Sequence, residues 1–238
     1  LTFPFQSIEY TAQYSNSQVT DILIDSTGYL YIGTKEGLLI WDGNRFRSIE
    51  NNAADSASLI NNDINAITEG YQHNILIATG SGVDILNTAT NTYDHQFTSG
   101  HKKANGFNEV KFFAKTGDNK IWLGNESMIG YLNATNTELI KLKTRDEFLQ
   151  PDEYFVDVYE DGNNVWIQTT NNLFLFNAET KVYTSVIQNL SLSGEISSFA
   201  VYGDVMYVLT DDGYFNIFNK NDFSVNNKID LGHKFSVY

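Results

Sequence analysis

Apolar residues along this chain come in short runs, and Gly, Asn, Asp or Ser interrupts every run before it reaches the ten to twelve residues that a helix wants. Within the runs, apolar and polar positions alternate and β-branched or aromatic residues dominate, as strands require. The stretch Gly28-Tyr29-Leu30-Tyr31-Ile32-Gly33-Thr34 recurs around Leu76, Trp122, Trp166 and Tyr207. These bulky residues form a column with Tyr31, spaced at 45, 46, 44 and 41 residues. A second column follows each copy, where a third strand ends on Asp42, Asn87, Asn133, Asn177 or Asn219. Asx side chains bond to backbone two residues on, which suits a tight turn out of a strand. Four or six residues later an apolar residue restarts a strand, at Phe46, Tyr93, Leu139, Tyr183 and Phe223.

Each unit therefore reads as four strands joined by turns. In the first unit these are an inner strand from Val19 to Asp25, the bulky strand from Leu30 to Thr34, a third from Leu38 to Asp42 and an outer one from Phe46. A period near 45 residues with four strands is that of a propeller blade. The predicted fold is all-β: a β-propeller of five four-stranded blades, at about 19–62, 63–108, 109–153, 154–194 and 195–230, forming an incomplete ring cut from a larger, seven-bladed one. Residues 1–18 read as the outer strand of a preceding blade, because Phe5-Gln6-Ser7-Ile8-Glu9 echoes Phe46-Arg47-Ser48-Ile49-Glu50. Residues 231–238 read as the start of a next blade. Unpaired sheet edges left by missing strands invite pairing with a second copy, so a homodimer is expected. In the bulky strand Tyr31 shares a face with Gly33, and Trp122 with Gly124, which suits sheets stacked closely. Gln168 and Leu209 replace the glycine in the last two units, so their contacts should differ.

Asp25 to Phe46, with Gly28-Tyr29-Leu30-Tyr31-Ile32-Gly33-Thr34, Gly37-Leu38 and Trp41-Asp42-Gly43-Asn44-Arg45-Phe46, resembles the two-component regulator propeller repeat nearly position by position. The second copy keeps Thr79-Gly80-Ser81-Gly82-Val83; the later ones keep Trp122 and Trp166 but lose the Gly-Leu step. The resemblance implies the periplasmic sensor region of a hybrid two-component receptor, standing before an immunoglobulin-like domain, a membrane helix and a histidine kinase. It further implies an oligosaccharide or other small ligand and, as partners, the neighbouring propeller and immunoglobulin-like domains of the same protein. The alternative is a cell-surface or secretion-associated protein-interaction scaffold.

The 238 residues carry 15 basic and 29 acidic side chains, a formal charge of −14. That charge repels a phosphate backbone and an anionic bilayer, so nucleic acid is not an expected partner. There is no cysteine, which removes disulfides and thiolate-bound metal from consideration. No phosphate loop, nucleophile elbow or zinc motif is present. His73, His95, His101 and His233 fall at unlike positions of the repeat. This segment is therefore not expected to be an enzyme, and no cofactor or metal is expected. The acidic groups Asp211-Asp212-Gly213 and Glu160-Asp161-Gly162-Asn163-Asn164 lack EF-hand spacing. Asp25-x-x-Gly28 is one residue too long between Asp and Gly for a sialidase Asp box.

In a propeller the turns after the bulky strands and the long connections between blades share one face, where ligands usually meet it. The candidate ligand-binding residues are Lys35, Glu36, Glu126, Asn171, Asn172, Asp211 and Asp212, with Ser81 and the connections 51–62, 99–108 and 144–153 beside them. Trp41, Trp122 and Trp166 recur at blade period and read as core. Tyr71, Phe107 and Tyr154 are the expected aromatic stacking surfaces.

Overall fold

A computed structural model describes residues 17–55, 58–97, 107, 109–115, 120–133, 139–144, 148–162, 164–177 and 179–233. The chain is all-β, with five four-stranded antiparallel sheets, each a meander of consecutive strands. Contacts divide it into two compact units, residues 1–110 and 111–238. Among the described residues no helix is long and apolar enough to cross a membrane.

The first unit holds two sheets. Sheet I is β1 (Val19–Ile24), β2 (Leu30–Thr34), β3 (Gly37–Trp41) and β4 (Phe46–Ile49). Sheet II is β5 (Ile64–Glu69), β6 (Ile75–Thr79), β7 (Gly82–Asn87) and β8 (Thr92–Gln96). Tyr31, Leu38 and Ile40 of the first pack with Ile64, Ile67, Ile75, Ile77 and Leu86 of the second in one buried cluster. Gly33 permits the close approach. A methyl there would stand 2.8 Å from Ile64 Cγ2 and 3.1 Å from Ile67 Cδ1, inside contact distance. The inner strands also join by hydrogen bonds. Asp21 Oδ2 accepts the Ile67 backbone N–H at 2.7 Å, satisfying a donor on an otherwise open strand edge.

The second unit holds three sheets. Sheet III is β9 (Phe112–Lys115), β10 (Ile121–Asn125), β11 (Met128–Leu132) and β12 (Leu139–Thr144). Sheet IV is β13 (Phe155–Asp161), β14 (Asn164–Thr169), β15 (Leu173–Asn177) and β16 (Tyr183–Ser185). Sheet V is β17 (Ile196–Tyr202), β18 (Val205–Thr210), β19 (Tyr214–Asn219) and β20 (Val225–Asp230). One buried cluster joins sheets III and IV through Trp122, Phe155 and Phe176. Another joins sheets IV and V through Trp166, Leu173, Met206, Val208 and Phe218. Gln168, in the glycine's place, is buried and donates from Nε2 to the Ile196 carbonyl at 3.1 Å, so a hydrogen bond replaces close backbone contact.

Backbone irregularities repeat with the units. A register shift falls in the inner strand at Val19/Asp21, Ile64/Ala66, Phe155/Asp157 and Ile196/Ser198, a bulge that bends the strand and raises its local twist. The Asx column behaves as expected from its chemistry. Asp42 Oδ1 accepts the N–H groups of Asn44 and Arg45, Asn87 Oδ1 those of Ala89 and Thr90, and Asn177 Oδ1 those of Glu179 and Thr180. Asn91 and Lys181, four residues past their Asx, adopt left-handed φ of 55° and 61° and close the turn. In the fifth unit that place belongs to Phe223, at φ 59°. The outer strand restarts only at Val225, two residues later than the apolar column implies.

Two repeat-related tyrosines carry an uncompensated cost. Among the described residues the buried hydroxyls of Tyr93 and Tyr183 have no hydrogen-bond partner, and burial pushes Tyr93 up to about 12. Removing an unsatisfied buried hydroxyl relieves its desolvation penalty. Tyr93→Phe and Tyr183→Phe are each expected to raise stability by about 1 kcal/mol, read as a higher urea midpoint at unchanged slope.

Candidate functional site

The hairpin turns after β2, β6, β14 and β18 are built by one device. A threonine ends each of these strands, and its hydroxyl donates to a carbonyl beyond the turn: Thr34 to Gly37, Thr79 to Gly82, Thr169 to Asn172, Thr210 to Tyr214. After β10, Asn125 Oδ1 instead accepts the N–H groups of Ser127 and Met128. These turns carry the sequence-predicted site residues.

In the first unit Lys35 and Glu36 are exposed. Lys35 Nζ meets Asp63 Oδ1 at 2.5 Å and Asn65 Oδ1 at 3.3 Å. Glu36 Oε2 accepts from Ser17 Oγ. Asn61 Nδ2 donates to Ser81 Oγ at 2.8 Å and its Oδ1 accepts from Asp63 N–H, so Lys35 and Ser81 sit in one polar patch. The connection after β4 is pinned by its own bonds, including Asn51 Nδ2 to the Leu59 carbonyl at 2.6 Å and Ile60 N–H to buried Asp84 at 2.9 Å. Burial raises the Asp84 carboxyl, partly offset by that N–H and by His95.

In the second unit Glu126 and Asn171 are exposed. Asn172 Oδ1 accepts from Ser185 Oγ at 2.8 Å. Asp211 Oδ1 accepts the Glu195 N–H at 2.8 Å. Hydrogen bonds from Ser193 and Thr210 hold the Asp212 carboxyl below its ordinary value. Among the described residues no hydrogen bond or ion pair joins Glu126, Asn172 and Asp212. The acidic stretch near Asp161 is likewise occupied, with Asp161 taking Lys220 Nζ at 2.8 Å and Trp166 Nε1 at 3.2 Å. Among the described residues no group of three or more His, Cys, Asp or Glu could hold a metal ion. Residues 98–106, 108 and 145–147, including His101, lie outside the described residues.

The expected stacking surfaces divide. Tyr71 is 44% exposed, Tyr154 is half-buried, and Phe107 is fully buried and so offers no surface. An apolar ring beside a polar connection gains more from the core than from the surface it was assigned. Trp122 and Trp166 are core, as read; Trp41 is half-buried against Phe46, ring centroids 4.8 Å apart.

A recess of the first unit lies at the other ends of the hairpins. It is a cleft of about 430 Å³ between the β1–β2 turn, β4 and the β7–β8 turn, lined by Asp25, Thr27, Tyr29, Arg47, Thr88 and Asn91, among others. Asp25 shapes its floor. Its Oδ1 accepts the N–H groups of Thr27 and Tyr29 and the Thr27 hydroxyl, and its Oδ2 accepts the Tyr31 hydroxyl at 3.1 Å. Burial acts to raise this carboxyl, but the four hydrogen bonds outweigh it and hold it below its ordinary value of 3.8. A group depressed in the folded state adds stability above its unfolded pKa and loses it as pH falls through the folded one. The wild type should therefore be more stable than Asp25→Asn near neutrality and lose that advantage below about pH 4, read from paired melting curves.

Beside the cleft, Ser26 Oγ lies 2.6 Å from Glu69 Oε1 and 2.8 Å from His73 Nδ1, and that same nitrogen lies 2.9 Å from Glu69 Oε1. A nucleophile relay needs the two imidazole nitrogens to face different partners. Here one nitrogen meets both, so the cluster ties two turns together rather than forming a relay.

Residues 13–36 match the family model described as "Two component regulator propeller". The repeat around Tyr31 is thus similar to the two-component regulator propeller repeat. Two solved extracellular domains of putative hybrid two component systems from B. thetaiotaomicron are similar over nearly the whole chain. One is 21% identical with a TM-score of 0.55, covering 90% of this chain and 36% of its own. The other is 18% identical with a TM-score of 0.55, covering 92% and 37%. The chain thus spans a little over a third of those domains. The structure of U3-55K is also similar, at 9% identity and a TM-score of 0.68, covering 90% of this chain and 65% of that one. At these identities the likeness is one of fold, and the fold is that of propeller repeats. No curated protein matches the chain.

Proposed function

We propose that this chain is an extracytoplasmic ligand-recognition segment of a hybrid two-component receptor, one that binds an oligosaccharide in the periplasm and relays the event to a histidine kinase. The observation that carries the reading is the regulator propeller repeat at residues 13–36, set in a chain whose fold resembles extracellular domains of such systems. A segment of this kind recognises its ligand with exposed turns on a rigid sheet scaffold. The polar patch around Lys35 and Glu36 in the first unit is one candidate surface, and the turns bearing Glu126, Asn171, Asn172, Asp211 and Asp212 in the second unit are separate candidates. Relay requires that ligand bind one state of the receptor more tightly than another.

A ligand that prefers the folded state raises the melting temperature by mass action. A thermal-shift screen of the chain against neutral and acidic oligosaccharides is expected to give a dose-dependent rise with at least one of them. No rise with any sugar, from this chain and from a longer extracellular region containing it, would contradict the carbohydrate reading and favour a protein-interaction scaffold.

A further inference from the structure

We infer that the cleft between the β1–β2 turn, β4 and the β7–β8 turn is a binding site for a sugar ring that carries a carboxylate. The inference rests on the carbohydrate reading above and narrows it to acidic sugars at a named place.

The fold has already used most of the acceptors in the cleft lining. Asp25 is filled by its four donors, and the hydroxyls of Thr27 and Tyr31 are spent on it. Thr88 Oγ1 donates to the His73 carbonyl at 3.2 Å. Asn91 Oδ1 accepts from Arg47 Nη1 at 3.0 Å, which fixes the guanidinium across the cleft from one sheet to the next. The capacity left over is mainly donors: the remaining guanidinium N–H groups, the Asn91 amide N–H pair and the Tyr29 hydroxyl. A wall of donors calls for acceptors, and a planar guanidinium matches a carboxylate in two parallel hydrogen bonds.

Charge points the same way. Among the described residues Arg47 makes no ion pair, although acidic residues outnumber basic ones 29 to 15 in the chain. Asp25, the carboxylate in the cleft lining, is buried and turned into its own hairpin. The remaining lining is apolar or aromatic. Tyr29 is 42% exposed, and Ala89, also exposed, belongs to the same lining. An exposed aromatic ring in the lining suits the C–H face of a pyranose, while an open-chain acid would leave that surface unused. A cleft of about 430 Å³ admits one or two such rings.

The test is calorimetric titration of the whole chain with glucuronate and with galacturonate, against glucose, galactose and acetate. Wild type should bind at least one uronate in preference to its neutral counterpart and to acetate. Arg47→Gln should weaken uronate binding by about tenfold or more, and added salt should weaken it further in wild type than in the variant. Tyr29→Ala should weaken it while leaving the carboxylate preference intact. Arg47 and Tyr29 are both exposed, and an unchanged melting temperature of the free variants verifies that they fold. Neutral sugar binding as tightly as uronate, and unaffected by Arg47→Gln, would overturn the acidic-ring proposal while leaving the carbohydrate reading standing. Acetate matching the uronates would overturn the sugar half. Failure of either uronate to bind, with neutral oligosaccharides also silent, would overturn both.

Discussion

Trp166→Ala is expected to cost about 3–5 kcal/mol, as whole-ring truncations in packed cores do. The indole is 1% exposed and joins sheet IV to Met206, Val208 and Phe218 of sheet V, so its loss leaves a void that two sheets line. Comparison with Trp122 separates packing from hydrogen bonding. Trp166 Nε1 donates to Asp161, which also holds Lys220, whereas buried Trp122 Nε1 has no partner among the described residues. Trp166→Phe therefore breaks a bond that Trp122→Phe does not, and should cost about 1 kcal/mol more. Urea unfolding followed by circular dichroism would measure both pairs. Equal costs for the two Phe variants would mean that the Asp161 bond contributes nothing.

Gly124→Ala is the second large effect. A methyl at Gly124 would collide with the Phe112 ring at Cζ and stand 2.9 Å from the Met128 carbonyl oxygen. Phe112 is the cross-strand neighbour of Gly124 on β9 and is itself buried, so its ring has little room to swing away. Overpacking of this kind costs about 1–3 kcal/mol and sometimes more. Phe112→Leu removes the worse of the two collisions. The Gly124→Ala penalty should fall in that background, giving a coupling of about 0.5–3 kcal/mol in a double-mutant cycle. A penalty that is the same in both backgrounds would place the strain at the Met128 carbonyl instead.

These two positions also indicate what could be read from the sequence. Trp122, Trp166, Gly33 and Gly124 stand in columns because every unit solves the same packing problem, and a repeated constraint leaves a repeated mark. The Asx turns were legible for the same reason, since their side-chain chemistry acts within three residues. Phe223 misled because an apolar residue in a left-handed turn position looks, in sequence, like the first residue of a strand. Phe107 misled because its neighbours are polar while its ring is core. The cleft left no mark at all. Arg47 and Asn91 lie 44 residues apart on successive units, and their pairing depends on how one sheet stacks on the next. Tyr29, beside Gly28, read as an ordinary turn residue. The turn at Lys35 and Glu36 was legible because turns after the bulky strands recur, but recurrence marks scaffolding as readily as function.

The account rests on recognition of a carbohydrate, and the measurement that reaches it most directly is an NMR titration of the 15N-labelled chain with the sugar that most raises its melting temperature. The account predicts saturable shifts concentrated at Asp25 to Tyr31, Arg47 and Thr88 to Asn91, with little change on the strands behind them. No saturable shift with any sugar, or shifts confined to sites outside both that cleft and the turns at Lys35, Glu36, Glu126, Asn171, Asn172, Asp211 and Asp212, would contradict it.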